Sequence, residues 1–277
     1  MAKRLAYMGP AGTHSEQAAL TYDPSADRIP FHSITAAASA VDSGIADEAV
    51  VPIENSLEGS VTTTVDLLIH DSKLFIRHEL ALPIKHYLVA WAGTSAENID
   101  VIYSHPQALG QCRGFFATNY PNVDEVASMS TAAAVEEMLA KGPGAAAVAS
   151  VRAAFLYGTN ILKEGIEDNA NNMTRFVVLA PSDHQPTGSD KTSVCFSFDE
   201  DAPGILFSVL GEFSKRGINL TKIESRPTKQ DLGRYIFLVD LEGHREDAEI
   251  SETLQSVESQ VSMFKVFGSY PRYSLSS

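Results

Sequence analysis

Ala180-Pro-Ser-Asp-His-Gln-Pro-Thr-Gly-Ser-Asp190 decides how the chain divides. It is polar, interrupted by two prolines and a glycine, and set between two strand-like runs, Arg175–Leu179 and Thr192–Phe198. Beyond it, Leu206, Val209, Leu210 and Phe213 follow helical spacing and Gly217 supplies a stop. Ile218–Ser225 and Tyr235–Leu241 read as strands, Ile250, Leu254 and Val257 mark a second helix, and Ser262–Phe267 reads as a last strand. The order βαββαβ is the split, ferredoxin-like α+β unit. Its two helices cover one sheet face, so the other face is expected to need a partner, which favours an oligomer.

Before the linker, strands and helices alternate. Arg4–Met8 reads as a strand leading through glycines into a helix near Ser15–Tyr22. Thr35 is placed to cap a helix over Ala36–Ser43 that stops at Gly44. Ala49–Val51, Ile84–Ala90, Val101–Tyr103, Ala145–Ala149 and Arg175–Leu179 read as strands. Helices are expected at Val65–Ile69, from about Pro106 to Asn119, and from a Ser130 cap to Lys141. This alternation predicts α/β architecture with mostly parallel sheets, in which ligands collect at loops beyond the strand ends.

The 277 residues suffice for one large domain or two ordinary ones, and 44% hydrophobic residues provide ample core material. Lys and Arg total 21 against 35 Asp and Glu, a net charge of -14. Such a balance argues against nucleic acid or an anionic membrane as partner. An anionic ligand would have to be held by local dipoles and a few placed cations. Cys112 and Cys195 are far apart and suggest no disulfide framework, which fits a reducing compartment. Gly9-Pro10 arrives before a signal-peptide core can develop, and no apolar run approaches ~18 residues. A soluble, cytoplasmic protein is expected.

Four polar clusters can carry chemistry. Gly9-Pro-Ala-Gly12-Thr13-His-Ser15 joins a strand to a helix; it is either a backbone cradle for a carboxylate or phosphate, or a glycine turn with Thr13 or Ser15 as cap. In Val51-Pro-Ile-Glu54-Asn55-Ser56-Leu-Glu-Gly59-Ser-Val61-Thr-Thr-Thr64, three polar residues and then more hydroxyls follow a buried strand, which suits an oxygen-rich ligand or is a turn whose Asn55 and Ser56 bond local backbone. In Ser104-His-Pro-Gln107-Ala-Leu-Gly-Gln111-Cys112, Ser104 and Gln107 have capping-box spacing, and Gln107 and Gln111 share a helix face. Leu109, Cys112 and Phe116 lie on another face and should be core, making Cys112 a buried hydrophobe. His105 is either an acid–base group or a structural donor. Asp168-Asn-Ala-Asn-Asn172-Met-Thr174-Arg175-Phe176 feeds a strand; Arg175 can grip a carboxylate or pair internally with Asp168 or Glu54. The H-E-x-x-H, paired Cys-x-x-Cys, G-x-G-x-x-G, G-x-S-x-G and P-loop patterns are missing, so no metal or other cofactor is expected.

Taken in order, GPAGTHS, PIENSLEGSV, SHPQALGQC and NMTRF, with Ser130-Thr131-Ala132 and Ala145–Ser150, resemble the prephenate dehydratase family. Gly217-Ile-Asn-Leu-Thr-Lys-Ile-Glu224-Ser-Arg-Pro227 resembles the ESRP segment of that family's regulatory ACT domain. The likeness covers nearly the whole chain. It implies a catalytic domain over 1–181, two-lobed like a type 2 periplasmic binding protein, followed by an ACT domain over 190–277. One lobe would take about 1–79 with 163–181, the other 80–162. The implied reaction is decarboxylating dehydration of prephenate to phenylpyruvate, inhibited by L-phenylalanine. With no helical mutase segment before Gly9, the likeness is to the monofunctional form. Arogenate dehydratase and a non-catalytic amino-acid sensor are the alternatives.

By the same resemblance Thr174, Glu54 and Asn55 are the catalytic candidates. Gly12, Thr13, Ser56, Ser104, Gln111, Ser130, Thr131 and Arg175 are the candidates for holding substrate. Gly204, Ile205, Leu206, Asn219, Leu220, Glu224, Ser225 and Arg226 are those for the effector, bound at ACT–ACT contacts of a homodimer or homotetramer. Ile205 stands where the family usually has alanine, which puts the strength of effector binding in question.

Overall fold

The structure, a computed structural model, describes residues 2–199, 202–229 and 233–273. In chain order the elements are β1 (Arg4–Met8), α1 (His14–Tyr22), β2 (Asp27–Phe31), α2 (Ile34–Asp42), β3 (Glu48–Asn55), β4 (Gly59–Ser60) and α3 (Thr62–Asp66). A π-helical turn over Leu67–Asp71 leads to β5 (Phe75–Pro83). Then come β6 (Tyr87–Ala90), β7 (Val101–Ser104), α4 (Pro106–Gln111), α5 (Arg113–Asn119), β8 (Asp124–Ala127), α6 (Thr131–Lys141), β9 (Ala145–Ala149), α7 (Val151–Tyr157), β10 (Asn160–Glu164) and β11 (Met173–Ala180). After the linker follow β12 (Asp190–Ser197), α8 (Ile205–Lys215), β13 (Leu220–Pro227), β14 (Tyr235–Glu242), α9 (Ala248–Glu258) and β15 (Met263–Pro271).

Three sheets result, ordered β2-β1-β3-β11-β5 with β4 on β3, β10-β6-β9-β7-β8, and β13-β14-β12-β15. By compactness the chain forms one unit of Met1–Thr62 with Ala81–Phe176 and another of Thr63–Leu80 with Val177–Ser277.

The first unit is α/β, but its sheets are mixed. β1 pairs parallel with β2 and β3, and β7 parallel with β8 and β9. β6 runs against both its neighbours, β9 and β10. It is entered straight from β5 through Ile84-Lys85-His86, without the helical crossover that imposes a parallel sense. Ile84–Ala90 is therefore not one strand.

Residue size explains the second sheet's centre. All of Ala145–Ala149 is buried. Ala146 and Val148 face one cluster with Leu88 and Ile102, while Ala145, Ala147 and Ala149 face the other with Val135 and Met138 of α6. That alternation is the two-residue strand period, and the small side chains let α6 approach closely.

Cap positions are set by hydroxyls. Ser33, not Thr35, caps α2, accepting from Ala36 N–H. Ser130 caps α6 and Ser150 caps α7 in the same way. The expected single helix from Pro106 breaks at Cys112 into α4 and α5. Cys112 is buried among Leu109 and Phe116, and burial pushes its thiol pKa well up.

The second unit has the expected βαββαβ order, with an all-antiparallel sheet. Phe213 and Val209 of α8 and Leu254 and Val257 of α9 cover one face. The opposite face does not wait wholly for a partner, because the chain's own 63–80 segment covers part of it. Lys265 Nζ donates to the carbonyls of Ser72 (2.8 Å) and Ile69 (3.3 Å), and Lys191 pairs with buried Glu79 at 2.9 Å. The polar linker is also tied down: Asp183 is buried and accepts from the backbone N–H of Ser269 (3.0 Å) and from Arg245 (3.0 Å).

Candidate active site

Where the end of β3 meets the start of β11, Asn55 reaches Thr174. Asn55 Nδ2 donates to Thr174 Oγ1 at 2.9 Å and to Asn172 Oδ1 at 2.8 Å. Its Oδ1 accepts from the backbone N–H groups of Leu57 (3.0 Å) and Glu58 (3.2 Å). The amide is thus oriented from both ends, with its NH₂ toward Thr174.

The network continues. Asn172 Nδ2 donates to Gln111 Oε1 at 3.0 Å, and the same oxygen lies 2.8 Å from His86 Nε2. Gln111 Nε2 donates to Glu58 Oε1 at 3.2 Å. The series His86–Gln111–Asn172–Asn55–Thr174 runs along a cleft of about 330 Å³. The cleft is also lined by Thr13, His14 and Ser15 at the head of α1, by His105 and Gln107 at the head of α4, and by Ser130 and Thr131 at the head of α6. Thr174 is only 9% exposed, at the cleft wall.

Of the residues singled out from the sequence, Thr13, Asn55, Gln111, Ser130, Thr131 and Thr174 line this cleft together. The others lie elsewhere. Ser104 is fully buried and donates to the Val148 carbonyl at 2.8 Å, so its hydroxyl ties β7 to β9 and faces no ligand. His105, not Ser104, caps α4, its Nδ1 accepting from Gln107 N–H at 3.3 Å. Ser56 donates to the Asn171 carbonyl (3.2 Å) and accepts from Met173 N–H (2.9 Å), clamping the loop before Thr174. Arg175 lies 3.5 Å from Glu54, outside the cleft lining, so of the two internal pairings it is Glu54 that the arginine meets. Asp168 accepts instead from the N–H groups of Gly114 (3.0 Å) and Phe115 (3.3 Å).

Gly12 serves the fold at close quarters. Its φ is +90°, and an added Cβ would sit 3.2 Å from Ala153 of α7. Its N–H does not wait for a ligand's carboxylate, since Glu16 Oε2 already accepts from it at 2.6 Å. Arg152 holds that carboxylate at 2.9 Å. Burial opposes the ionised form of Glu16, but the Arg152 guanidinium and the Gly12 amide outweigh it and hold the pKa below the usual range. Thr13 caps α1 by accepting from Glu16 N–H at 3.3 Å.

Asn172, His14, His86 and Gln107 join the cleft without having been assigned a site role from sequence. His14 and Asn172 sit inside quoted motifs, where they were the signal available. His86 was hidden by reading Ile84–Ala90 as one strand.

In the second unit, Gly204 (φ +86°) leads α8 and lines, with Ile205 and Leu206, a groove of about 340 Å³. The other effector candidates lie away from it. The Asn219 carbonyl accepts from Glu242 N–H at 3.0 Å, and Leu220 opens β13. Glu224 is flanked by Lys222 (3.2 Å) and Arg226 (3.7 Å), Arg226 lies 3.4 Å from Asp66, and Ser225 is exposed.

The prephenate dehydratase family profile matches residues 5–184, and the ACT domain profile matches residues 200–259. The bifunctional chorismate mutase/prephenate dehydratase of Aquifex aeolicus is 43% identical over 270 residues, covering 97% of this chain and 74% of that protein. Arogenate dehydratase/prephenate dehydratase 1 of Arabidopsis thaliana is 37% identical, covering 97% of this chain and 72% of that one. The crystal structure of an Arthrobacter aurescens prephenate dehydratase in complex with L-Phe superposes with a TM-score of 0.89 at 37% identity, over 97% of this chain and 90% of that one. Matched by that family's profile over residues 5–184 and by the ACT profile after it, this chain belongs to the prephenate dehydratase family.

Proposed function

We propose that this chain converts prephenate to phenylpyruvate under control by L-phenylalanine, and that Thr174 donates a hydrogen bond to the leaving ring oxygen. The reaction expels carbon dioxide and hydroxide from a dianion, the hydroxide takes up a proton, and aromatisation drives the step. The observation that carries the reading is the Asn55–Thr174 bond at 2.9 Å inside the cleft. Because Asn55 donates, the Thr174 oxygen is the acceptor there and its own proton is left to point at a ligand. A positioned donor of this kind supplies ~10²–10³-fold in rate. Ser130, Thr131 and Gln111 are the remaining side chains we assign to substrate. The α1 and α6 N-termini add partial positive charge for its carboxylates.

The test is an ultraviolet assay for phenylpyruvate from prephenate, run beside phenylalanine formation from arogenate, each with and without L-phenylalanine. Turnover of prephenate suppressed by phenylalanine supports the reading. Preference for arogenate would make the chain an arogenate dehydratase. Binding without turnover of either would make it a sensor.

We place the effector between ACT domains of a homodimer or homotetramer, with the Gly204–Leu206 turn from one copy and Glu224–Arg226 from the next. The supporting observations are that Glu224–Arg226 do not line the groove that Gly204–Leu206 form in one chain, and that Phe207 and Ile223 are 79% and 50% exposed. Glu224→Ala is expected to raise the phenylalanine concentration for half-inhibition ~10-fold or more, the effect of losing one charged hydrogen bond, with uninhibited turnover unchanged. Unchanged inhibition would move the effector site elsewhere. No helix among the described residues is long and apolar enough to cross a membrane. Cysteines buried and unpaired at Cys112 and Cys195 fit our assignment to the cytoplasm.

A further inference from the structure

The cleft poses an electrostatic problem. On the reading above it must hold a dianion, yet among its described lining residues there is no lysine, arginine, aspartate or glutamate. Its ionisable side chains are His14, His86 and His105. Carboxylates bonded to residues of the cleft or its flanking turns are engaged otherwise: Glu58 on the Gln111 amide, Glu167 on the His86 backbone N–H at 2.8 Å, and Glu16 on Arg152 and Gly12. His105 spends Nδ1 on the α4 cap.

His14 and His86 are not spent. Their rings meet edge to face, centroids 6.3 Å apart. Both nitrogens of His14 and Nδ1 of His86 are buried without a hydrogen-bond partner, a costly state for polar atoms unless a ligand completes it. The network also decides the tautomer of His86. A carboxylate only accepts, so Glu58 draws the NH₂ of Gln111 and leaves Oε1 toward His86 and Asn172. His86 Nε2 must then carry the hydrogen, and Nδ1 bears a bare lone pair.

We propose that His14 and His86 are the cleft's switchable cation: the pair takes up one proton together with the doubly charged substrate and donates to one of its carboxylates. The inference rests on the prephenate reading. Their surroundings favour the neutral form of both imidazoles. Burial, then the nearby His86, push the His14 pKa down to about 4; Gln17 opposes them without reaching hydrogen-bond geometry. Burial lowers His86 too, against the smaller opposing pulls of Gln111 and Glu167. A dianion reverses the field, and two rings this close accept one charge, not two. The proton comes from solvent and leaves Nδ1–H of His86, or a second N–H of His14, facing the carboxylate.

The sign of the pH dependence follows. A group whose pKa is raised by binding strengthens binding fully below its free pKa and loses that contribution as pH climbs through its bound pKa. The KM for prephenate is therefore expected to rise toward ~10-fold per pH unit between the free and bound pKa values, where one proton must be gained to bind, and to level off above them. The decisive measurement is calorimetric titration of prephenate into the full-length Thr174→Ala protein, in which turnover is slowed at least ~10²-fold, in two neutral buffers of different ionisation enthalpy. About one proton taken up per substrate is expected. Uptake is expected to fall toward zero in a Thr174→Ala background carrying His14→Phe or His86→Gln, with affinity at least ~10-fold weaker, the loss of a charge-assisted hydrogen bond. Loss of uptake in either variant supports the pair. Should one variant fail to fold, uptake by the protein with both histidines and the other variant still decide. Binding without proton uptake, or uptake undiminished in both variants, overturns the proposal while leaving the dehydratase reading intact. A native-sequence protein that makes neither phenylpyruvate nor phenylalanine overturns both.

Discussion

Replacing Thr174 with alanine is expected to lower kcat on prephenate by at least ~10²-fold, the effect of removing one pre-positioned donor from a charge-separating transition state. KM should change little, because the donor matters most as charge builds on the departing oxygen. The geometry makes the substitution a clean one. Asn55 Nδ2 keeps its bond to Asn172 Oδ1 at 2.8 Å, and Asn55 Oδ1 keeps the Leu57 and Glu58 amides, so the walls of the site stay in place. What is lost is one hydroxyl at the edge of the cleft, and the urea midpoint should barely move. Thr174→Ser, which restores the oxygen without the methyl group, should recover most of the rate. Steady-state assays on purified alanine and serine variants check both statements. An alanine variant within a few-fold of the parent would mean that the hydroxyl never touches the leaving oxygen.

Why this site could be read only in part from the sequence is a matter of range. The ferredoxin-like unit after Asp190 was legible because helical spacing and the Gly217 stop are local signals. Thr174 and Asn55 stood out only as members of motifs. Their bond joins positions 119 residues apart in sequence, and the link from Asn172 to Gln111 spans 61. Ser104 shows the opposite failure: capping-box spacing pointed to a local partner, but its hydroxyl bonds the carbonyl of Val148, 44 residues on. β5 escaped notice because Arg77, His78 and Glu79 interrupt its apolar pattern. Glu79 is nonetheless 1% exposed, since Lys191 and the Tyr273 N–H neutralise and satisfy it. A charge buried with its partner carries no sequence signature of burial.

Gly268 provides the largest expected effect on stability, and it lies in the second unit. It sits where β15 carries one residue more than β12: Gly268 is opposite Ser193 and Val266 opposite Val194, leaving Phe267 without a match. Its φ is +142°, and a Cβ there would lie 2.3 Å from the Ile76 carbonyl oxygen and 2.9 Å from the Ile76 nitrogen. Both are backbone atoms, so no rotamer change can relieve the overlap. Alanine must either push β15 off β5 or leave the bulge, and both routes disturb the segment that Lys265 and Lys191 hold against the same sheet. Adding ~1–3 kcal/mol for a non-glycine residue in this backbone region to ~1–3 kcal/mol for overpacking, Gly268→Ala is expected to cost about 2–6 kcal/mol. Gly142→Ala is the matched control: its φ is +84°, but nothing lies within 4 Å of the added carbon, so only the backbone part remains. Urea unfolding of the two variants separates close approach from φ alone. The midpoint for Gly268→Ala should fall well below that of Gly142→Ala. Equal midpoints would mean that β15 and β5 part without resistance, and that the 63–80 segment is not clamped to the ACT sheet as its contacts imply.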